Sequence, residues 1–254
     1  MGIGLALGGG GARALASIGV IKVLLKNNIE IDEVSGTSMG AAIGAYFCAT
    51  KEIEQLEQKV LFMKKTEYVK LIDLNKLNQS IIKGNKIEEF LRTNIKKERF
   101  GQLKIPLKVV ATNLLSGEEV VFKRGKLISA IMASVAVPGL FPPVKKGRKF
   151  LVDGGIINPT PISALKSKKI LAIDFTTNKT TVNKIDTFNV ISLSFSIIRR
   201  YQEKFKNNEN LIILKPKTGL ELTGLLRFDK AEQFMKAGEE AAKKNLKKIK
   251  EMIK

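Results

Sequence analysis

The chain has 254 residues, of which 44% are hydrophobic, and it carries a formal net charge of +20. No apolar run approaches the roughly 18 residues that a membrane-spanning helix requires, so the sequence predicts no transmembrane segment. The single cysteine, Cys48, excludes an internal disulfide bond, and its apolar neighbours favour an inert, buried thiol in a cytoplasmic protein.

The positive charge is mostly lysine, because only eight of the 44 basic residues are arginine. The lysines scatter along the whole chain, tryptophan is absent, and aromatic residues make up 6% of the sequence. Nucleic-acid binding relies on arginine contacts and aromatic platforms, so we do not expect a nucleic-acid partner. Two interpretations stay open: a solvated lysine-rich surface, and peripheral contact with anionic lipid at the inner face of a membrane.

Periodicity and breaker residues predict alternating strands and helices in one domain spanning 1–254. The first part predicts strand Ile3–Leu7, helix Ala14–Leu25, strand Ile31–Val34, helix Met39–Ala49, and helical patterns over Lys51–Asn94 that break at Gly84-Asn85. The second part predicts strands Leu107–Thr112 and Glu119–Phe122 joined by a turn at Ser116-Gly117, helix Lys126–Ala133, strand Phe150–Val152, short helix Ile162–Leu165, and strands Lys169–Asp174 and Leu211–Leu214. This alternation indicates an α/β protein whose mostly parallel sheet is covered by helices on both faces.

An amphipathic helix is predicted over the tail, from 228 to 254. Its lysines crowd one region, at Lys243, Lys244, Lys247, Lys248 and Lys250. Such a helix either lies on a membrane surface or docks its apolar stripe on the sheet, and the predicted architecture favours docking.

The segment GTSMG at 36–40 has the glycine-x-serine-x-glycine pattern of a nucleophile elbow. A predicted strand leads directly into it and a helix follows, which is the setting that such a turn requires. Gly36 and Gly40 permit the tight turn, Ser38 is the candidate nucleophile, and the Met39 N–H at the helix start is a candidate oxyanion donor. The alternative is that the glycines serve close helix packing.

A second glycine-rich segment, LGGGGARA at 7–14, lies between a predicted strand and helix. It matches neither the dinucleotide fingerprint nor the phosphate-binding loop with its lysine and Ser/Thr. Successive backbone N–H groups suit an anion, so Gly9, Gly10 and Gly11 are candidate oxyanion donors, with generic phosphate binding as the alternative. Arg13 either anchors this loop or faces an anionic headgroup.

A base for Ser38 must come from another residue type, because the chain contains no histidine. Asp153 ends a predicted strand and precedes Gly154 and Gly155, which permit close approach. Asp174 also ends a strand and is the second candidate. An exposed aspartate has a pKa near 3.9 and is a poor base, so the site has to be dry. The competing interpretation of Asp153 is a turn-capping role.

The chain resembles the patatin-like phospholipases, in particular their compact bacterial members. The segments that carry the resemblance are LGGGGARA, GTSMG, ASVAVPGLFPP from 133 and DGGIINPTP from 153. The resemblance implies a three-layer α/β/α sandwich and a Ser–Asp dyad without histidine, with Ser38 as nucleophile, Asp153 as proton acceptor and the glycine loop as oxyanion hole. Ala14 stands where the family commonly has glycine, and Ser17 where bacterial relatives often have histidine.

The function that this resemblance implies is a serine acyl hydrolase acting on lipid or phospholipid esters through an acyl-enzyme, with no metal and no cofactor. Three alternatives stay open: a short-chain carboxylesterase or thioesterase, a non-catalytic protein that senses an acyl ligand, and a nucleotide-binding module.

Overall fold

The computed structural model describes residues 2–63, 82–176, 209–219 and 227–254, and the single positions 193 and 197. The strands in this part of the chain are β1 Ile3–Leu7, β2 Ile31–Thr37, β3 Leu107–Asn113, β4 Glu119–Phe122, β5 Val144–Lys146, β6 Lys149–Asp153, β7 Ile170–Ile173 and β8 Leu211–Leu214. The α-helices are α1 Ala16–Lys26, α2 Met39–Thr50, α3 Ile53–Phe62, α4 Asn85–Ile95, α5 Leu127–Ser134 and α6 Ala231–Ile253.

The strands form one sheet in which hydrogen-bonded neighbours follow the path β5-β6-β3-β2-β1-β7-β8, and β4 pairs with β3 off this path. The five strands β3, β2, β1, β7 and β8 run parallel, whereas β4 and β6 pair antiparallel with β3, and β5 pairs antiparallel with β6. A mostly parallel sheet in a three-layer α/β/α arrangement is the predicted fold class, which the structure confirms.

Strand β1 shows why the parallel part of the sheet is buried on both faces. All five of its residues are buried. Ile3, Leu5 and Leu7 belong to the main hydrophobic core, whereas Ala6 belongs to a smaller cluster with Ala172 and Ile162. Because successive side chains point to opposite faces of a strand, both faces of the sheet are covered.

The helices close the core through contacts between small residues. A Cβ atom built on Gly19 of α1 would lie 2.0 Å from the Met235 carbonyl oxygen of α6, and one on Gly238 would lie 1.9 Å from the Ala16 carbonyl oxygen. Phe234 and Ile249 of α6 are fully buried, so the tail helix docks its apolar stripe on the protein, as the predicted architecture favours.

Most predicted elements are confirmed within a few residues, and three differ. Residues Gly11–Leu15 form a 3-10 turn, so the first α-helix begins at Ala16 rather than at Ala14. The predicted helix Ile162–Leu165 is a single 3-10 turn over Ile162–Ala164. Strand β5 was not predicted, because its sequence VKK has no apolar run. Part of the predicted helical stretch Lys51–Asn94, residues 64–81, lies outside the described residues.

Candidate active site

Ser38 lies in a strained turn between β2 and α2. Its backbone angles are φ 55° and ψ −130°, outside the regions that L-residues ordinarily occupy. A conformation of this kind costs roughly 1–3 kcal/mol and persists only where the surrounding structure holds it. The turn also requires close backbone approach, because a Cβ atom on Gly40 would lie 2.3 Å from the Leu7 carbonyl oxygen and one on Gly36 2.6 Å from the Ala41 Cα atom. These contacts explain both glycines of GTSMG.

Strand pairing at β3 brings Ser38 and Asp153 to neighbouring positions. Strand β4 pairs with Val109 to Thr112 of β3, so it occupies one edge of that strand. Strands β2 and β6 must therefore share the opposite edge, where Thr37 pairs with Val110 and Asp153 pairs with Ala111. Since β2 and β6 run in opposite directions, their carboxyl ends meet at consecutive residues of β3.

Ser134, the last residue of α5, fills the junction between these two strand ends. Its hydroxyl accepts a hydrogen bond from the Ser38 N–H at 2.8 Å and donates one to the Val110 carbonyl oxygen at 2.6 Å. The side chain is fully buried. The Ser134 hydroxyl thereby extends the β2–β3 ladder by one bridge and holds the strained residue at its amide. Ser134 lies in the segment ASVAVPGLFPP, and no local sequence pattern predicts this role for it.

The Asp153 carboxyl group lies in a buried environment, and the residue is 4% exposed. Its Oδ1 atom accepts a hydrogen bond from the Gly155 N–H at 2.6 Å, and its own N–H donates to the Ala136 carbonyl oxygen at 2.9 Å. A Cβ atom on Gly154 would lie 2.3 Å from the Val110 carbonyl oxygen, so only glycine fits there. The turn-capping role is therefore present, and the hydrogen bond from Gly155 orients a buried carboxyl group.

The glycine loop lies directly against the elbow, since a Cβ atom on Gly9 would lie 3.1 Å from Ser38 Cβ. The Gly9 N–H is already engaged, because it donates to the Pro159 carbonyl oxygen at 2.8 Å. Gly9, predicted as an oxyanion donor, therefore uses its N–H to hold the loop against Pro159 instead. Gly10 and Gly11 open a 3-10 turn and Met39 opens α2, positions whose N–H groups have no partner within their own helix.

A protein-family model described as patatin-like phospholipase matches residues 5–166. The chain belongs to the patatin-like phospholipase family. Among its curated relatives, an NTE family protein of Mycobacterium tuberculosis is 36% identical over 163 residues, which cover 64% of this chain and 45% of that protein. Neuropathy target esterase sws of Drosophila melanogaster is 31% identical over 180 residues, which cover 68% of this chain and 13% of that protein.

Solved structures share the patatin-like fold at low sequence identity. VipD from Legionella pneumophila matches with a TM-score of 0.55 and 17% identity, over 97% of this chain and 67% of that chain. The type III effector protein ExoU matches with a TM-score of 0.50 and 14% identity, over 100% of this chain and 54% of that chain. The patatin-like chain thus spans less than half the length of the two curated relatives above, and the structural matches establish the fold alone.

The second candidate base of the patatin-like chain, Asp174, lies on the other side of β1 from Ser38, since the sheet order is β2-β1-β7. Its Oδ1 atom accepts hydrogen bonds from the Thr160 hydroxyl and from the Thr176 N–H, each at 3.0 Å. Its Oδ2 atom pairs with Lys215 Nζ at 3.0 Å. These contacts place Asp174 among structural groups beside the glycine loop rather than beside the nucleophile. Arg13 is 5% exposed, which favours the loop-anchoring role over contact with a headgroup outside the protein.

A buried ion pair fixes the opposite end of the patatin-like sheet. Lys108 Nζ lies 2.6 Å from Glu33 Oε2, and the Ser167 hydroxyl donates to Glu33 Oε1 at 2.9 Å. Burial acts to raise the pKa of the Glu33 carboxyl group, but the hydrogen bonds from Lys108, Ser167 and Lys166 outweigh it, so the pKa lies below its usual value. The pair locks β2 to β3 and thereby supports the register that sets Thr37 against Val110.

Proposed function

We propose that this chain is a serine acyl hydrolase acting on lipid esters, with Ser38 as nucleophile and Asp153 as proton acceptor. One observation carries the proposal: the carboxyl ends of β2 and β6 pair with consecutive residues of β3, Val110 and Ala111. Membership in the patatin-like phospholipase family supports lipid esters as the substrate class. The strained backbone of Ser38 supports a catalytic role, because such strain is concentrated at functional sites.

In the proposed reaction, the Ser38 Oγ atom attacks the ester carbonyl carbon while its proton passes to the Asp153 carboxylate. The carbonyl oxygen becomes an oxyanion, for which the N–H groups of Gly10, Gly11 and Met39 are the proposed donors. Collapse of the tetrahedral intermediate expels the alcohol, which takes the proton from Asp153. Water then attacks the acyl-Ser38 ester while Asp153 accepts its proton. Cleavage of the bond between Ser38 Oγ and the acyl group returns that proton from Asp153 to Ser38 and releases the fatty acid.

The N-terminus of α2 and the burial of the site both favour the negative charge that develops on the substrate carbonyl oxygen. Negative charge next to the N-terminus of α2 is stabilised by the aligned peptide dipoles, and the effect is strongest where water is excluded. Ser38 and Asp153 are 7% and 4% exposed. Donors held in place by the loop need no reorganisation when charge develops on the substrate.

The proposal is tested by turnover of a p-nitrophenyl acyl ester and of phosphatidylcholine vesicles, with lipid products identified by mass spectrometry. Ser38→Ala should reduce both activities by at least about 10³-fold while the fold is retained. Ser35→Ala is a matched control, because it removes a buried hydroxyl from β2, the strand that leads into the turn at Ser38. Undiminished turnover in Ser38→Ala would refute the assignment, whereas turnover of the soluble ester alone would indicate a carboxylesterase rather than a lipid hydrolase.

A further inference from the structure

Two turns lie side by side at one end of the sheet and expose large apolar side chains. The Leu114 N–H donates to the Phe150 carbonyl oxygen at 2.8 Å, which joins the β3–β4 turn to strand β6. Leu114 is 51% exposed, Leu115 is 70% exposed and Phe150 is 38% exposed. Solvent exposure of three neighbouring large apolar side chains is unfavourable in water unless another surface covers them.

Basic side chains are concentrated in the β5–β6 hairpin, which contains Phe150. Exposed cations of β5, β6 and the turn between them are Lys145, Lys146, Arg148 and Lys149. The three apolar and four basic residues are called the hairpin patch below. Lys145 pairs with Phe150 across β5 and β6, and its Nζ atom lies 6.0 Å from the centre of the Phe150 ring. Among the described residues, none of the four cations forms an ion pair. The nearby Glu118 accepts a hydrogen bond from Ser116 in the β3–β4 turn.

The tail helix α6 lacks this combination, although it carries many lysines. Its apolar residues Phe234, Ala242 and Ile249 are fully buried against the protein. Lys243 already pairs with Glu239 one turn earlier on the same helix, at 3.2 Å. The helix therefore has no free apolar stripe to insert into a lipid interface, which separates it from the hairpin patch.

We propose that the hairpin patch docks this protein on an anionic lipid bilayer. Exposed apolar side chains in and beside turns fit the boundary between headgroups and acyl chains, and the exposed lysine and arginine side chains of the same hairpin, which form no ion pair among the described residues, fit lipid phosphates. The proposal rests on the proposed function for its purpose, which is to bring the catalytic residues to substrate in the membrane. Strand β6 connects the hairpin patch to the candidate active site, because Asp153 follows Phe150 by three residues, or about 10 Å of extended chain.

The test is co-sedimentation with sucrose-loaded vesicles, using the full chain with Ser38→Ala so that hydrolysis does not change the lipid. Vesicles contain phosphatidylcholine alone or phosphatidylcholine with phosphatidylglycerol. We expect binding to the anionic vesicles and a marked loss at high salt, because screening weakens exposed charges. Lys145→Gln with Lys149→Gln should weaken binding on the order of 25-fold, at about fivefold for each charge near the surface. Leu114→Ser with Leu115→Ser should also weaken it.

Matched controls remove the same groups elsewhere. Lys247→Gln with Lys248→Gln lowers net charge equally on α6, and Phe62→Ser removes a side chain that is 78% exposed on α3. Both controls should bind as the parent does. Equal binding by the patch variants, an equal loss in the α6 variant, or failure of the parent to bind anionic vesicles would each overturn the proposal.

The same variants built with Ser38 intact separate this proposal from the proposed function. Hydrolysis of a soluble p-nitrophenyl ester should be unchanged by the patch substitutions, while hydrolysis of anionic vesicles should fall with binding. Vesicle binding without any hydrolysis would support docking and refute the enzymatic proposal. Vesicle hydrolysis that does not respond to the patch substitutions would support the enzymatic proposal and refute docking through the hairpin patch.

Discussion

Replacing Ser134 with alanine removes one hydroxyl group and breaks two hydrogen bonds at the candidate active site. The Ser38 N–H loses its acceptor and the Val110 carbonyl oxygen loses its donor. Ser134 is fully buried, so water does not readily replace either bond. Each buried polar group left without a partner costs about 1–3 kcal/mol, and main-chain relaxation recovers part of this. We therefore expect a loss of about 2–4 kcal/mol in the free energy of unfolding. This loss of about 2–4 kcal/mol corresponds to a decrease in Tm of roughly 5–15 °C for a chain of this size.

The same substitution should also reduce catalysis, because it removes the hydrogen bond that holds the amide of the strained residue Ser38. Displacement of Ser38 by a fraction of an ångström should lower kcat on the order of 10- to 100-fold, with a smaller change in KM.

Thermal unfolding followed by circular dichroism and p-nitrophenyl ester kinetics at a temperature where both proteins are folded provide the two measurements. Ser129→Ala is the matched control, since Ser129 lies on the same helix, is partly exposed and has no hydrogen bond from its hydroxyl in the described chain. A Tm within about 2 °C of the parent together with an unchanged kcat would refute the role assigned to Ser134.

Three further predictions concern groups away from Ser38. The pKa of Glu33 is lowered in the folded protein, so its contribution to stability is present above its unfolded value of 4.5 and is lost as pH falls through the folded pKa. The difference in urea midpoint between wild type and Glu33→Gln should therefore be constant near neutral pH and shrink below about pH 4.5; a constant difference down to acid pH would contradict this. Lys22 bridges Glu57 at 2.6 Å and Glu239 at 2.9 Å, joining α1 to α3 and α6. Lys22→Met should cost about 1.5–3 kcal/mol in urea denaturation, whereas the exposed Lys26→Met on the same helix should cost little. Burial raises the pKa of the Cys48 thiol, so iodoacetamide should label it at pH 8 only after unfolding; rapid labelling of the native protein would show that the thiol is accessible.

The sequence predicts the parallel part of the sheet well, because strands such as Ile3–Leu7 are short apolar runs bounded by glycine. It also places Ser38 at the turn after β2 and Asp153 at the end of β6, since both follow from local chain signals. Their adjacency depends on β6 pairing antiparallel with β3 on the same edge as β2, directly beyond the last residue that β2 pairs with. No local sequence pattern encodes that pairing. The pairing of Ser38 with Asp153 is therefore predicted by the resemblance to the family and not by hydrophobic periodicity.

The sequence predicts which residues form the candidate site better than it predicts the hydrogen bonds that these residues make. Gly9 was a reasonable oxyanion donor from its position in the loop, but its N–H is used by Pro159, which is distant in sequence. Ser134 ends a helix whose apolar pattern indicates burial, yet nothing in that pattern shows that its hydroxyl lies between Ser38 and Val110. Both contacts join segments that only the folded sheet brings together.

The central claim is that Asp153, rather than the other buried strand-end aspartate, activates Ser38. The most direct measurement is the rate at which an organophosphonate modifies Ser38, followed by intact mass and peptide mapping, in wild type, Asp153→Asn and Asp174→Asn. A general base contributes about 10²- to 10⁴-fold, so Asp153→Asn should slow modification of Ser38 by that amount, and Asp174→Asn should label at close to the wild-type rate. Undiminished labelling of Ser38 in folded Asp153→Asn, or loss of labelling in Asp174→Asn alone, would contradict the account.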